Sequence, residues 1–183
     1  YCYHVAGVVG VMMAMVMGVR DAAVLRRASD LGIAFQLTNI ARDVVADQAA
    51  GRVYLPHQWL DEAGLSRADM AIAANRDRLF NVVARLLDLA EPYYASSRVG
   101  MAHLPFRAAW AVGAASAVYR DIGTLVRQRG PEAWDQRVST SPSRKLAGVA
   151  AGLSAAVNRR GHAGKMDSPS RDGLWTPSSL RAE

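Results

Sequence analysis

Gln36-Leu37-Thr38-Asn39-Ile40-Ala41-Arg42-Asp43-Val44-Val45-Ala46-Asp47 decides how the rest of the chain is read. On a helix, at about 100° per residue, Gln36, Asn39, Asp43 and Asp47 fall within one narrow arc. Asn39, Asp43 and Asp47 then stand one turn apart. Phe35, Leu37, Ile40, Val44 and Val45 flank them, so the helix is expected to be buried on most sides. A buried carboxylate without a partner is very costly, and a hard divalent cation with oxygen ligands is a natural partner. A lone D-x-x-x-D is more simply a solvated helix face with surface charges. Here the two carboxamides, the apolar flanks and the loop that follows favour a site. Gly51 ends the helix, and Arg52 arrives at once, a side chain suited to bidentate phosphate contacts.

Working outward, 183 residues fit one domain, and 51% hydrophobic against 21% charged residues allow a real core. The chain opens inside an apolar run with neither an initial Met nor a signal-peptide pattern, and so reads as part of a longer protein. A single cysteine, Cys2, excludes an internal disulfide and leans towards a cytosolic setting. Residues 1–97 carry 9 basic and 10 acidic groups, whereas residues 98–183 carry 13 and 6. A basic half attracts nucleic acid, anionic lipid or phosphorylated ligands. No nucleic-acid module is visible, which leaves a diphosphate or a membrane surface.

Residues 1–19 are almost unbroken apolar sequence. They are long enough to span a bilayer, but their glycines and the lack of flanking belts favour a buried core helix. Met12, Met13, Met15 and Met17 suit an adaptable apolar wall or plain packing. Asp21 is expected to cap a helix over 22–48. A short helix over 57–63 follows, then one over 67–90 capped by Ser66 and either broken at Pro92 or kinked there and continued over 93–99. Pro105 opens a helix to about Arg129, residues 132–140 read as irregular, and a last helix ends near Arg160. Residues 161–183 read as a disordered tail, leaving 1–160 as the folded part. No strand alternation is visible, so the chain reads as all-α. His4, His57, His103 and His162 lack metal-ligand spacing, no Ser-His-Asp or Cys-His set is present, and Trp59, Trp110 and Trp134 read as packing residues.

The central stretch, with Gly51-Arg52-Val53-Tyr54-Leu55-Pro56, resembles the second aspartate-rich motif of the squalene/phytoene synthases. Tyr1-Cys2-Tyr3-His4-Val5-Ala6-Gly7-Val8-Val9-Gly10 resembles their other signature, in the right order. The details are most similar to bacterial phytoene synthases. The resemblance implies an isoprenoid-synthase-type helical bundle, here incomplete because the family's first aspartate motif would precede Tyr1. It implies head-to-head condensation of two geranylgeranyl diphosphates to phytoene through prephytoene diphosphate, with Mg²⁺ or Mn²⁺ and no NADPH. Asn39, Asp43 and Asp47 would hold the metal. Gln36, Arg42, Arg52 and Arg137 would meet diphosphate, as would Tyr119. Tyr1 would act near the carbocation, and Val5, Gly7, Val9 and Gly10 would shape the prenyl cavity. The plainer readings are core packing for Tyr119, an exposed loop arginine for Arg137 and a frayed terminus for Tyr1.

Three alternatives stay open. One is a squalene or dehydrosqualene synthase using farnesyl diphosphate. Another is a non-catalytic relative of the same fold, against which the retained Asp43 and Asp47 argue. The last is a membrane-spanning interaction protein built on residues 1–19. The 183-residue chain alone is expected to be inactive or poorly stable. The expected setting is cytoplasmic, with peripheral membrane contact because substrate and product are lipids.

Overall fold

The computed structural model describes residues 1–163 and 169–180. They fold into six α-helices joined by short turns, with no strand among the described residues. A π-helical turn, Tyr3–Gly7, leads into α1 (Val8–Val16). Helix α2 (Ala22–Ala49) follows, then α3 (His57–Glu62), α4 (Arg76–Gly100), α5 (Phe106–Arg129) and α6 (Pro142–Ala163).

Helix α2 is the axis of the molecule. Asp21 starts it by accepting from the backbone N–H groups of Ala23 and Val24 at 2.7 and 3.1 Å, satisfying donors that a helix start leaves open. Gly51, at φ 75°, turns the chain out of it. Between these ends Ile33, Ala34, Leu37, Ile40, Ala41 and Val44 are buried. They pack with Leu79, Val83 and Leu87 of α4 and Ile122 and Val126 of α5 in one core. Each fully buried aliphatic side chain there contributes about 1.5–3 kcal/mol through burial. Trp134, in the short turn after α5, donates its indole N–H to the Ala41 carbonyl at 3.0 Å.

Three expectations change. The apolar run over residues 1–19 is not a buried core helix. It is a π turn plus a nine-residue helix with one face on α2. On the other side Val5, Val9, Met12, Met13 and Val16 are exposed. Part of that side, Val5, Val9 and Met13, borders an open groove described below, whereas Met12 and Val16 lie outside it. No helix among the described residues is long and apolar enough to cross a membrane.

The helix expected from Arg67 begins only at Arg76. Ser66 and Asp69 do form a reciprocal cap, with Ser66 N–H to Asp69 Oδ2 at 2.7 Å and Asp69 N–H to Ser66 Oγ at 3.3 Å. That cap starts a single 3₁₀ turn, and a second follows before α4. Pro92 does not end α4, which runs on to Gly100. Pro92 and Asp88, whose carbonyl loses its helical partner, lie on the exposed side, where water can replace the bond.

Residues 169–180, expected to be disordered, pack back onto α2 and α4. Arg171 makes two 2.7 Å bonds to the fully buried Asp30, and Trp175 N–H donates to the Tyr93 hydroxyl at 3.2 Å. Residues 161–163 of the expected tail belong to α6, and residues 164–168 and 181–183 lie outside the described residues.

Candidate active site

One face of α2 is divided in two. Val24, Ala28, Leu31 and Phe35 follow helical spacing over about 16 Å and line an apolar groove. The same side continues as Asn39, Asp43 and Asp47, one turn apart, with Gln36 beside them. All four polar residues are half-buried. A polar ladder therefore extends directly from the end of an apolar channel.

The ladder carboxylates are held by arginines. Arg42 donates to Asp43 through Nε and Nη2, at 3.0 and 2.5 Å. Arg137, from the segment between α5 and α6, donates to the same carboxylate at 3.1 and 3.3 Å. Arg52 reaches Asp47 at 3.3 Å. Partial burial pushes the Asp43 carboxyl up, but the bonds from Arg42 and Arg137 outweigh it and hold it below the ordinary carboxylate range. The Arg42 guanidinium is raised, chiefly by its bond to Asp43. Asp43 is therefore ionised at neutral pH. No cluster of three or more His, Cys, Asp or Glu side chains is gathered among the described residues. The donor set is instead two carboxylates and a carboxamide on one helix face, each carboxylate about 20% exposed. Hard oxygen donors that remain reachable fit a hard divalent cation whose shell is completed by water and phosphate.

Two aromatic pairs border the ladder. Tyr1 stacks on Tyr54 with ring centroids 4.6 Å apart. Its phenol is pushed up to about 12, first by the hydrogen bond with Tyr54, then by burial and by the Tyr54 and Asp47 charges. Tyr1 is 58% exposed but is anchored by this stack rather than fraying. Tyr119 of α5 stacks on Phe35 at 4.2 Å, where the groove meets the ladder. Tyr94 closes the same corner from α4, tilted 6.2 Å from Phe35 and hydrogen-bonded to Thr38 Oγ1 at 2.8 Å.

The groove, of about 380 Å³, runs between the π turn and α1 on one side and α4 and α5 on the other. Its lining includes Val5, Val9, Gly10, Phe35, Met101 and Val112. Val5, Val9 and Gly10 line it, and Gly10 also packs closely on α2, where an added Cβ would run into the Ala28 carbonyl oxygen. Gly7 does not line it: it faces α2, where an added Cβ would meet Tyr3 Cδ2 at 2.8 Å and Ser29 Oγ at 3.1 Å. It permits close helix packing instead of opening space. Gly32 does the same from α2, directly beneath the Ala6 carbonyl.

Sequence reasoning missed Tyr54, Asp30 and Arg171. Tyr54 lay inside the quoted Val-Tyr-Leu-Pro run but carried no signal of its partner. Asp30 sits nine residues before Asn39, with Arg26 and Arg27 one turn earlier on the same helix, so nothing in the sequence marked Arg171 as its partner.

An arginine-bordered polar ladder at the end of an apolar groove defines a class: all-α proteins in which one helix lines a groove that passes from apolar to charged. The comparisons narrow that class. The squalene/phytoene synthase family model matches residues 1–144, and the chain belongs to that family. It is 58% identical over 160 residues to the 15-cis-phytoene synthase of Enterobacter agglomerans, covering 87% of this chain and 54% of that protein. It is 56% identical over 178 residues to the 15-cis-phytoene synthase of Paracoccus sp., covering 96% and 56%. A crystal structure of a dehydrosqualene synthase in complex with ligand superposes with a TM-score of 0.74 at 29% identity, over 84% of this chain and 54% of that one. The chain spans about half the length of the curated relatives it matches.

Proposed function

We propose that this chain carries the diphosphate-binding helix and prenyl groove of an enzyme joining two geranylgeranyl diphosphates head to head into phytoene. The path runs through prephytoene diphosphate and needs no NADPH. The observation that carries this reading is the polar ladder at the end of the apolar groove, inside the 1–144 region matched by the family.

Asn39, Asp43 and Asp47 would hold Mg²⁺ or Mn²⁺. Such a cation neutralises charge on a departing diphosphate. Arg42, Arg52 and Arg137, held here by Asp43 and Asp47, would turn their N–H donors to phosphate oxygens where charge develops, and Gln36 and Tyr119 would border the same head group. The groove excludes water from the prenyl chain. Tyr1, with its proton firmly held, presents a neutral phenol near the allylic carbon rather than a nucleophilic phenolate. Peripheral contact with a membrane fits a substrate and product that are both lipids.

The test is phytoene formation from geranylgeranyl diphosphate by the complete protein, with and without Asp43→Ala/Asp47→Ala. We expect the double variant to lose about 10²-fold or more in turnover, the scale of losing fixed electrostatic partners. Normal product formation by that variant would refute the reading. The dehydrosqualene synthase likeness favours one second reading, with farnesyl diphosphate as substrate. Product analysis with both diphosphates separates the two.

A further inference from the structure

Asp30 is fully buried in α2, facing Ser96 of α4, and its charge is met from the far end of the chain. Arg171 grips it with Nε and Nη2 at 2.7 Å each, and Ser96 Oγ of α4 donates at 2.5 Å. Burial makes such a carboxylate costly unless it is fully paired. Arg171 is fixed in turn: its Nη1 donates to Thr176 Oγ1 at 2.8 Å and its Nη2 to the Trp175 carbonyl at 3.3 Å. Arg27, which also lines the groove, reaches the Pro169 carbonyl at 3.3 Å, and Arg26 reaches that of Leu180 at 2.6 Å. Four points on α2 and α4 thus receive the segment 169–180, namely Asp30, Arg27, Arg26 and Tyr93, whose hydroxyl accepts from Trp175 N–H.

What the segment covers gives it a role. The Trp175 ring lies 4.9 Å from the ring of Tyr3, the first residue of the π turn. The other side of that turn rests on α2, where Gly7 meets Ser29 and Ile33, next to Asp30. The π turn is therefore held between α2 and Trp175. A π turn is an uncommon local geometry that the surroundings must impose, and this one places Tyr1 against Tyr54 and sets Val5 and Val9 in the groove wall.

We propose that residues 169–180 are a latch that positions the π turn, with Arg171 and Trp175 as positioning residues acting through Asp30 and Tyr3. Its consequence for turnover rests on the reading given under Proposed function; its structural part does not.

Hydrogen exchange on the 183-residue chain tests the structural part. Trp175 is 47% exposed, so Trp175→Ala removes the ring without opening the core. The pair Asp30→Asn/Arg171→Met releases the latch without leaving a buried charge unpaired. In both, the amides of residues 3–8 are expected to exchange about tenfold faster or more, while Val82, Val83 and Leu86 of α4 keep their rates. Trp175→Phe, which keeps a ring on Tyr3, restores protection. Wild-type exchange at residues 3–8 in both variants would overturn the latch, and so would equal acceleration throughout α4.

Turnover of geranylgeranyl diphosphate by the complete protein tests positioning. For Trp175→Ala kcat/KM should fall about tenfold or more, the scale expected for a displaced catalytic geometry, and recover in Trp175→Phe. A freed π turn with unchanged kcat/KM would overturn the positioning role. Faster exchange in a protein that, wild type included, never turns over that substrate would leave the latch standing and remove the functional reading instead.

Discussion

Asp43 concentrates the residue-scale physics of the site. Its folded pKa is depressed, so its contribution to stability is present above the ordinary carboxylate range and is lost as pH falls through the folded value. Removing Arg137 removes one of its two cationic partners and lets burial act more strongly. In Arg137→Ala the Asp43 pKa should rise towards its ordinary value, and acid unfolding should begin at higher pH. Carboxyl NMR and a circular dichroism titration would show both shifts; a pKa unmoved by the substitution would mean that Arg42 alone holds the charge. The cost at neutral pH should stay below about 1 kcal/mol, because Arg137 is 72% exposed and solvent screens the pair. The ladder itself was legible in the sequence, because helical periodicity fixes which side chains share a face. The pairing of Arg137 with Asp43 was not, because 94 residues separate them. The expectation for Arg137 was contact with phosphate; in this structure it grips the carboxylate.

At the scale of elements, α2 owes its length to a good cap and a glycine stop, and both signals were readable. So was α5, between Pro105 and Gly130. The start of α4 was misread because Ser66 and Asp69 give a helix-start pattern that the chain uses for one 3₁₀ turn only. Nor could the sequence show that residues 1–19 keep one side open, since an all-apolar run has no polar face to mark the boundary. The contact between the π turn and α2 depends on small residues. Gly32→Ala would drive a Cβ into the Ala6 carbonyl, a backbone atom that cannot swing aside. We expect about 1–3 kcal/mol of destabilisation, as for other overpacked contacts, measured by chemical denaturation. A neutral result would mean that the π turn shifts freely on α2.

For the whole molecule, ligand and fold should be linked. A diphosphate with Mg²⁺ that binds the folded chain alone stabilises it by about 2.7 kcal/mol at a hundredfold excess over Kd. At this chain length that corresponds to a rise in Tm of roughly 5–10 °C. The rise should vanish in Asp43→Ala/Asp47→Ala, and an equal rise there would place the ligand elsewhere. The all-α class was legible from the absence of alternation. The docking of residues 169–180 was not, because their composition resembles a linker and only the far-off Asp30 gives Arg171 its purpose. The shared grip on Asp43 has a last consequence. Two guanidiniums already neutralise that carboxylate, so the resting site carries no stranded negative charge. If a divalent cation were to take over that carboxylate, Arg42 and Arg137 would be free to meet the pyrophosphate it carries. Loading would then be a salt metathesis, in which ion pairs trade members. Such a trade depends less on ionic strength than filling a bare anionic hole would.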